Sequence, residues 1–284
     1  MSYFENPFYP QVLEALARKL DTLNYHLLLF VADKDGNVDR IFDQIMQYRV
    51  DGIVLASVTL SLDLSEECLA AGIPVVLFNR SEDSGMASSV NSNNEAAARQ
   101  IAEFFVAGDH QRYAYVGGVA DSSVNIARQR GYLTALQEHG IDDVKVVNGD
   151  YDTRKTVRAA YSLFSQTPAP DAIFVANDHM ALTVMDVARY EFGLQIPQDV
   201  SIVGYDDTGP SGWPSYALTS VSQPVQEMVD AAVELLMKQI ESDTIEPEQI
   251  TVPGILVVRH STRRPRSGII EKEGVSLFQP QESK

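Results

Sequence analysis

Two adjacent carboxylates, Asp206 and Asp207, follow the apolar run Val200-Ser201-Ile202-Val203 and head a loop rich in Gly and Pro that holds the chain's one tryptophan, Trp213. A buried strand ending at Gly204-Tyr205 would place both carboxylates past its carboxyl end, where open α/β sheets bind ligands. Carboxylates accept hydrogen bonds from hydroxyl groups, and an indole ring covers an apolar face, so the equipment suits a polyhydroxylated or heterocyclic small molecule. Acid–base catalysis by the pair is a weaker reading, because neighbouring residues on an extended segment point apart. Gly209-Pro210-Ser211-Gly212 is not the GxSxG of a nucleophile elbow. The five histidines, His26, His110, His139, His179 and His260, lack metal-ligand spacing. Gly117-Gly118 reads as a tight turn rather than a phosphate cradle, and no GxGxxG or Walker loop is present. The single cysteine, Cys68, excludes an internal disulfide and reads as a small core residue. The expectation is a binding protein without catalytic residues, metal or cofactor.

Further polar candidates stand at the ends of other apolar runs. Asn177-Asp178 follows Ala172–Ala176. Asp178 suits an N-cap for the next helix, which leaves Asn177 to face a ligand. Arg128 and Arg130 lie early in a helix that starts just past a strand, where a cation opposes the helix dipole; a plain surface role fits poorly. Phe8 and Tyr9, after an Asn-Pro turn, fit a core or a ligand wall equally. Arg259, Arg263, Arg264 and Arg266 read as a solvated terminus. The formal charge of −17 repels phosphate, so the polypeptide as given is not expected to bind DNA by itself.

These residues need elements to hold them. Helical spacing of Val12, Leu13, Leu16, Leu20 and Leu23 is followed by a strand at 25–31, a helix at 38–49, strand 52–56, helix 64–71 and strand 73–78. Residues 79–92 show no periodicity. Helix 93–107 leads into strand 113–118, helix 125–139, strand 144–148, helix 153–166, strand 172–176, helix 178–192 and strand 200–204. An extended stretch at 219–224, a helix at 225–241 and a strand at 250–258 complete the alternation. Strands alternating with helices imply parallel sheets, and 284 residues suit two doubly wound lobes better than one. The expected division is residues 1–91 with 223–250, and 92–222 with 251–263, leaving 264–284 as a loose tail. No apolar run reaches membrane-spanning length and the first ten residues do not form a secretory signal, so a cytoplasmic protein is expected.

Seven stretches together carry a family resemblance: ENPFYP (5–10), RVDGIVLAS (49–57), AGIPVVLFNR (71–80), ARQRGYLTAL (127–136), FVANDHMAL (174–182), DVSIVGYDD (199–207) and LTSVSQP (218–224). Over residues 3–263 the chain resembles the effector-binding core of the lactose/galactose-repressor (LacI/GalR) family of bacterial transcription regulators. The resemblance implies a periplasmic-binding-protein-like fold, two lobes joined by three crossovers, with a sugar-like effector in the cleft. It also implies a homodimer built partly on the first helices, around Leu16–Leu23 and 38–49. Effector binding would close the lobes and thereby alter operator DNA binding. By residue-for-residue match it assigns effector contacts to Phe8, Tyr9, Asn79, Arg80, Arg128, Tyr151, Asn177, Asp206 and Val225. Valine at 225 stands where the family often has a ring, and Trp213 would supply part of the missing surface. The family's DNA-reading headpiece is absent, and its first core strand is cut to Met1–Phe4; Gly274–Phe278 is one candidate to take that strand's place. A sugar-binding protein of a transporter shares the fold and is the alternative. Pentose, hexose, sugar acid and purine all remain open as effectors.

Overall fold

The computed structural model describes residues 6–31, 38–56, 62–81, 85, 87–242 and 246–280. The chain divides into two compact units. The smaller spans Tyr9–Ser92 and Pro224–Val252; the larger spans Asn93–Gln223, the part from Pro253 onward, and the short stretch ending at Phe8. The α/β class is as the alternation predicts; one sheet is all-parallel, whereas the other is parallel over five strands and antiparallel over three. The stretch up to Phe8 belongs with the larger unit, against the expected division.

In the smaller unit, β1 (Ile53–Leu55), β2 (Val75–Phe78), β3 (Ser88–Ser92) and β9 (Gln249–Val252) form an all-parallel sheet in that order. Helices α1 (Phe8–Thr22), α2 (Val38–Tyr48), α3 (Leu62–Ala70) and α8 (Val225–Ile240) complete it. Ile41, Ile45, Leu55, Leu64, Cys68, Val75 and Leu77 make its core. Burial pushes the Cys68 thiol up to about 11, which suits an inert core residue.

Two segments of this unit differ from the sequence expectation. β3 has one aliphatic residue, yet it is a buried central strand, because its serines are satisfied from both sides. The Ser88 hydroxyl accepts from Gln239 Nε2 at 2.6 Å and from the Glu248 amide at 3.0 Å, while Ser89 bonds Gln249. Conversely, the apolar run 25–31 is not a strand. Leu27, Leu28, Leu29 and Val31 are 38–56% exposed. An apolar alternation becomes a strand only beside a sheet edge, and among the described residues 25–31 pairs with none. The expected first core strand at Met1–Phe4 lies outside the described residues.

The larger unit is built on an eight-stranded sheet of order β11-β12-β10-β8-β7-β6-β4-β5. β4 (Tyr113–Gly117), β5 (Val144–Asn148), β6 (Ala172–Val175), β7 (Ser201–Asp206) and β8 (Thr219–Ser222) run parallel. β10 (Ile255–Val257), β11 (Ile269–Lys272) and β12 (Val275–Phe278) extend the sheet antiparallel. The expected single strand at 250–258 is therefore two, parted at Pro253-Gly254 and given to different sheets. Helices α4 (Asn94–Ala107), α5 (Ser123–Glu138), α6 (Thr153–Phe164) and α7 (Asp178–Asp186) cover the sheet, with α7 continuing into a π-helical turn at Val187–Glu191.

The tail is not loose. Glu273 and Gly274 both have positive φ, the signature of a two-residue hairpin turn, and Phe278 is 5% exposed with its ring edge-on to Phe104 at 5.1 Å. Gly274–Phe278 thus pairs into the larger sheet, not the smaller one. Arg263 and Arg259 are also structural rather than merely solvated: Arg263 Nη2 lies 3.1 Å from Asp171, and Arg259 Nη2 lies 2.7 Å from Asp207.

Beside Arg263, His110 is buried; its Nδ1 donates to the Phe105 carbonyl at 2.9 Å and its Nε2 accepts from Arg263 Nε at 3.3 Å. Burial first, and then Arg263, lower its pKa from 6.5 to about 4. The folded value lies below the unfolded one, so the stabilising contribution is fully present above pH 6.5 and is lost as pH falls toward 4. By linkage the loss is on the order of 3 kcal/mol. Going from pH 7 to 4, wild type is expected to lose more stability in urea than His110→Gln; equal slopes would contradict this. Groups titrating in both proteins cancel in that difference.

Candidate effector site

The site is built on the carboxyl end of β7 in the larger unit. Asp206, its last residue, has φ 113° and Asp207 has φ 53°. Two consecutive non-glycine residues at positive φ carry about 1–3 kcal/mol of strain each, a feature that clusters at ligand sites. Asp206 is buried. Its Oδ1 accepts from Gln223 Nε2 at 2.7 Å, and its Oδ2 accepts from Asn6 Nδ2 at 3.3 Å. Burial pushes the Asp206 carboxyl up to about 6, while Arg128, Gln223 and Asn6 pull it back.

Arg128, in the second turn of α5, is 2% exposed. Its Nε donates to Asn94 Oδ1 at 2.7 Å, its Nη1 donates to the Ala176 carbonyl at 2.5 Å, and its Nη2 stands 3.9 Å from Asp206 Oδ1. The guanidinium lies 3.5 Å above the Tyr205 ring, in cation–π geometry. Two atoms beside Asp206, Arg128 Nη2 and Gln223 Oε1, are buried with no hydrogen-bond partner. Such groups are rare in folded proteins, and here they leave one donor and one acceptor near a carboxylate.

Tyr151 closes another side. It is 8% exposed, has φ 53°, and lays its ring where a Cβ on Gly118 would be, 2.1 Å away. Gly118 therefore makes room for that ring; its amide donates to Asn125 Oδ1 at 2.8 Å, an atom that also accepts from Tyr115 Oη.

Asn177, not Asp178, takes the capping role expected of Asp178, and Asp178 instead holds the loop after β7. Asn177 is the N-cap of α7, accepting from the Met180 amide at 3.0 Å. Asp178 is fully buried and accepts from the Thr208 amide at 2.9 Å and from the hydroxyls of Ser211 at 2.5 Å and Ser220 at 2.6 Å. Burial, and next the nearby Asp206, push its carboxyl up to about 7 against those three bonds. Trp213, just after the short 3-10 turn Gly209–Gly212, is 57% exposed and not buried with the cluster.

Phe8 is 1% exposed, as a core residue would be. In the smaller unit, Tyr9 sits half-buried in the first turn of α1 and Val225 half-buried at the start of α8. Asn79 follows β2 at φ 54°, its amide donating to the Val90 carbonyl at 2.9 Å and its buried Oδ1 unpartnered. The next residue, Arg80, is half-buried, and its carbonyl accepts from Asn91 Nδ2 at 2.9 Å. The structure thus gathers Arg128, Asp206, Tyr205, Gln223, Asn6 and Asn94 into one buried polar cluster. Of these, only Arg128 and Asp206 were candidates from the sequence; Asn6, Asn94, Tyr205 and Gln223 were not, although Asn6, Tyr205 and Gln223 lie inside the ENPFYP, DVSIVGYDD and LTSVSQP motifs. Among the described residues no three His, Cys, Asp or Glu side chains are grouped to hold a metal ion, and no helix is long and apolar enough to cross a membrane.

The family of periplasmic binding protein-like domains matches residues 102–262. Catabolite control protein A of Priestia megaterium is 30% identical over 264 residues, covering 91% of this chain and 79% of that protein. Among solved structures, a complex of the transcriptional regulator CelR with cellobiose superimposes with TM-score 0.84 at 28% identity, covering 91% of this chain and 80% of that one. A regulatory protein of the LacI family from Chloroflexus aggregans gives TM-score 0.78 at 30% identity, with 89% and 92% covered. With the fold and these likenesses in agreement, the chain belongs to the LacI family of transcriptional regulators and comprises its effector-binding core.

Proposed function

We propose that this core senses a neutral sugar, with Asp206 and Arg128 as its principal contacts. The observation that carries the reading is the unpartnered donor and acceptor, Arg128 Nη2 and Gln223 Oε1, buried on two side chains that both approach Asp206 Oδ1. Sugar hydroxyls both donate and accept, so neighbouring hydroxyls would satisfy all three groups at once. A neutral ligand fits the charge: two carboxyls, Asp206 and Asp178, are buried near each other, and the one buried guanidinium, Arg128, is already paired with Asp206, so an anionic ligand would meet repulsion. The cellobiose bound to CelR supports a sugar by analogy. The relatives are regulators, which favours this reading over a transporter component. Tyr151, Asn177, Asn79, Arg80, Tyr9 and Val225 are proposed as further contacts, and Trp213 as a peripheral one.

The test is thermal melting of the chain against a panel of neutral mono- and disaccharides that includes D-ribose and cellobiose. A ligand at a hundred times its Kd stabilises by about 2.7 kcal/mol. At least one sugar is expected to raise the melting temperature; a panel without effect would reject the reading.

The proposal extends to assembly and control. Operator DNA is read by a helix-turn-helix domain joined to the core, and effector and operator affinities are linked reciprocally. The core forms a homodimer. Leu16 and Leu20 are core residues, 3% and 8% exposed, so they do not supply its surface. The exposed apolar side chains Leu23, Met46 and Tyr48 of the smaller unit suit the role. Light scattering at micromolar concentration is expected to give twice the chain mass, and Tyr48→Glu to lower it; a monomer in wild type would reject the dimer.

A further inference from the structure

We propose that Asp178 is a positioning residue of the effector site, holding the reversed backbone at Asp206-Asp207 in the conformation that presents the Asp206 carboxylate. The inference rests on the sugar-sensing reading for its consequence, but its geometry stands independently. Asp178 is fully buried at the start of α7, yet it does not cap that helix, since Asn177 does. Its carboxylate is instead turned to the segment after β7. One oxygen takes the Thr208 amide and the Ser211 hydroxyl; the other takes the Ser220 hydroxyl. Ser220 Oγ in turn accepts from the Asp207 amide at 3.2 Å. Both residues after Asp206 are thus tied to one carboxylate, Thr208 directly and Asp207 through Ser220.

The sheet is cleared for this contact. Gly204 and Ser220 face each other in the β7–β8 register, one pair before Asp206 and Ser222 on the same face. A Cβ on Gly204 would lie 2.2 Å from Asp178 Oδ1, so only glycine admits the carboxylate. Positive φ at both Asp206 and Asp207 is a conformation the chain does not hold unaided, and it persists where the surroundings over-determine it. The Asp178 and Ser220 bonds supply that constraint.

The two serines separate positioning from plain stability. Ser220→Ala and Ser211→Ala each remove a fully buried hydroxyl that donates to Asp178, so similar losses of stability are expected from both. Only Ser220 reaches the Asp207 amide. Hydrogen exchange of the Asp207 and Thr208 amides, melting temperature, and affinity for D-ribose and cellobiose are measured in all three proteins. In Ser220→Ala the Asp207 amide is expected to exchange at least ~tenfold faster, and sugar affinity to fall at least ~tenfold, the equivalent of one lost hydrogen bond. Ser211→Ala is expected to keep the affinity and the Asp207 protection within about twofold. Affinity falling equally in both variants, or unchanged Asp207 exchange in Ser220→Ala, would overturn the proposal. If neither sugar binds wild type, the sugar reading is at fault, and Asp207 exchange in the two variants alone decides the positioning claim.

Discussion

Replacing Arg128 with alanine is expected to destabilise the larger unit by about 3–5 kcal/mol, the range for breaking a buried ion pair by removing one partner. The guanidinium is 2% exposed and serves Asn94, the Ala176 carbonyl and Asp206 together. Truncation strands all three in a site too buried for water to compensate fully. The effect carries a pH signature. Burial pushes the Asp206 carboxyl from 3.8 up to about 6, and Arg128, ahead of Gln223 and Asn6, restrains it. A carboxyl raised on folding opposes stability as pH rises from the unfolded value through the folded one. Without Arg128 that folded value moves higher still, so the extra penalty develops above pH 6, where wild type has already ionised. Urea unfolding should therefore show a larger deficit at pH 8 than at pH 5. A deficit below about 1 kcal/mol would mean that the pair is not held as described.

Gly131→Ala is the second large effect, and its sign runs against helix propensity. Alanine in a helix interior normally stabilises by about 1 kcal/mol over glycine. Here a Cβ would lie 2.2 Å from the Glu95 carbonyl oxygen, a backbone atom of α4 that cannot swing aside. The two helices must separate, and overpacking of this kind costs about 3 kcal/mol, the upper part of its usual range. Arg128 lies one turn before Gly131 and bonds Asn94 on α4, so separation of the helices also pulls the proposed effector site apart. Melting is expected to drop and sugar binding to weaken in the same variant. A melting temperature at or above wild type would show that the helices do not approach so closely.

Arg128 and Asp206 were readable because each stands at a place where ligand chemistry is expected: the start of a helix past a strand, and a strand's carboxyl end. Their partners were not. Asn6 reaches Asp206 across 200 positions and Gln223 across 17, and no local pattern announces either bond. The capping of α7 by Asn177 rather than Asp178 has the same origin. Both residue types cap helices well, and what decides is the loop around Thr208–Ser211, thirty positions on. β3 escaped because buried serines satisfied by Gln239 and Gln249 look like loop in a sequence. The run 25–31 misled in the opposite sense, since its apolar residues satisfy the pattern of a strand while, among the described residues, it pairs with none. The hairpin at Ile269–Phe278 carried a legible signal, Glu273-Gly274 between two alternating runs, that was submerged in a polar terminus.

The central claim is that Asp206 holds a sugar hydroxyl, and calorimetric titration of three proteins tests it. Wild type, Asp206→Ala and Asp207→Ala are titrated with whichever neutral sugar of the panel stabilises wild type most. Asp207 sits beside Asp206 but is paired 2.7 Å from Arg259, so its side chain is committed elsewhere. One site per chain is expected in wild type. Loss of a buried, ligand-paired carboxylate costs about 2–5 kcal/mol, so Asp206→Ala should weaken affinity by at least ~tenfold. Asp207→Ala removes a part-buried ion pair to Arg259 rather than a proposed ligand contact, so it should weaken affinity less than Asp206→Ala does. Equal affinity in wild type and Asp206→Ala would contradict the account.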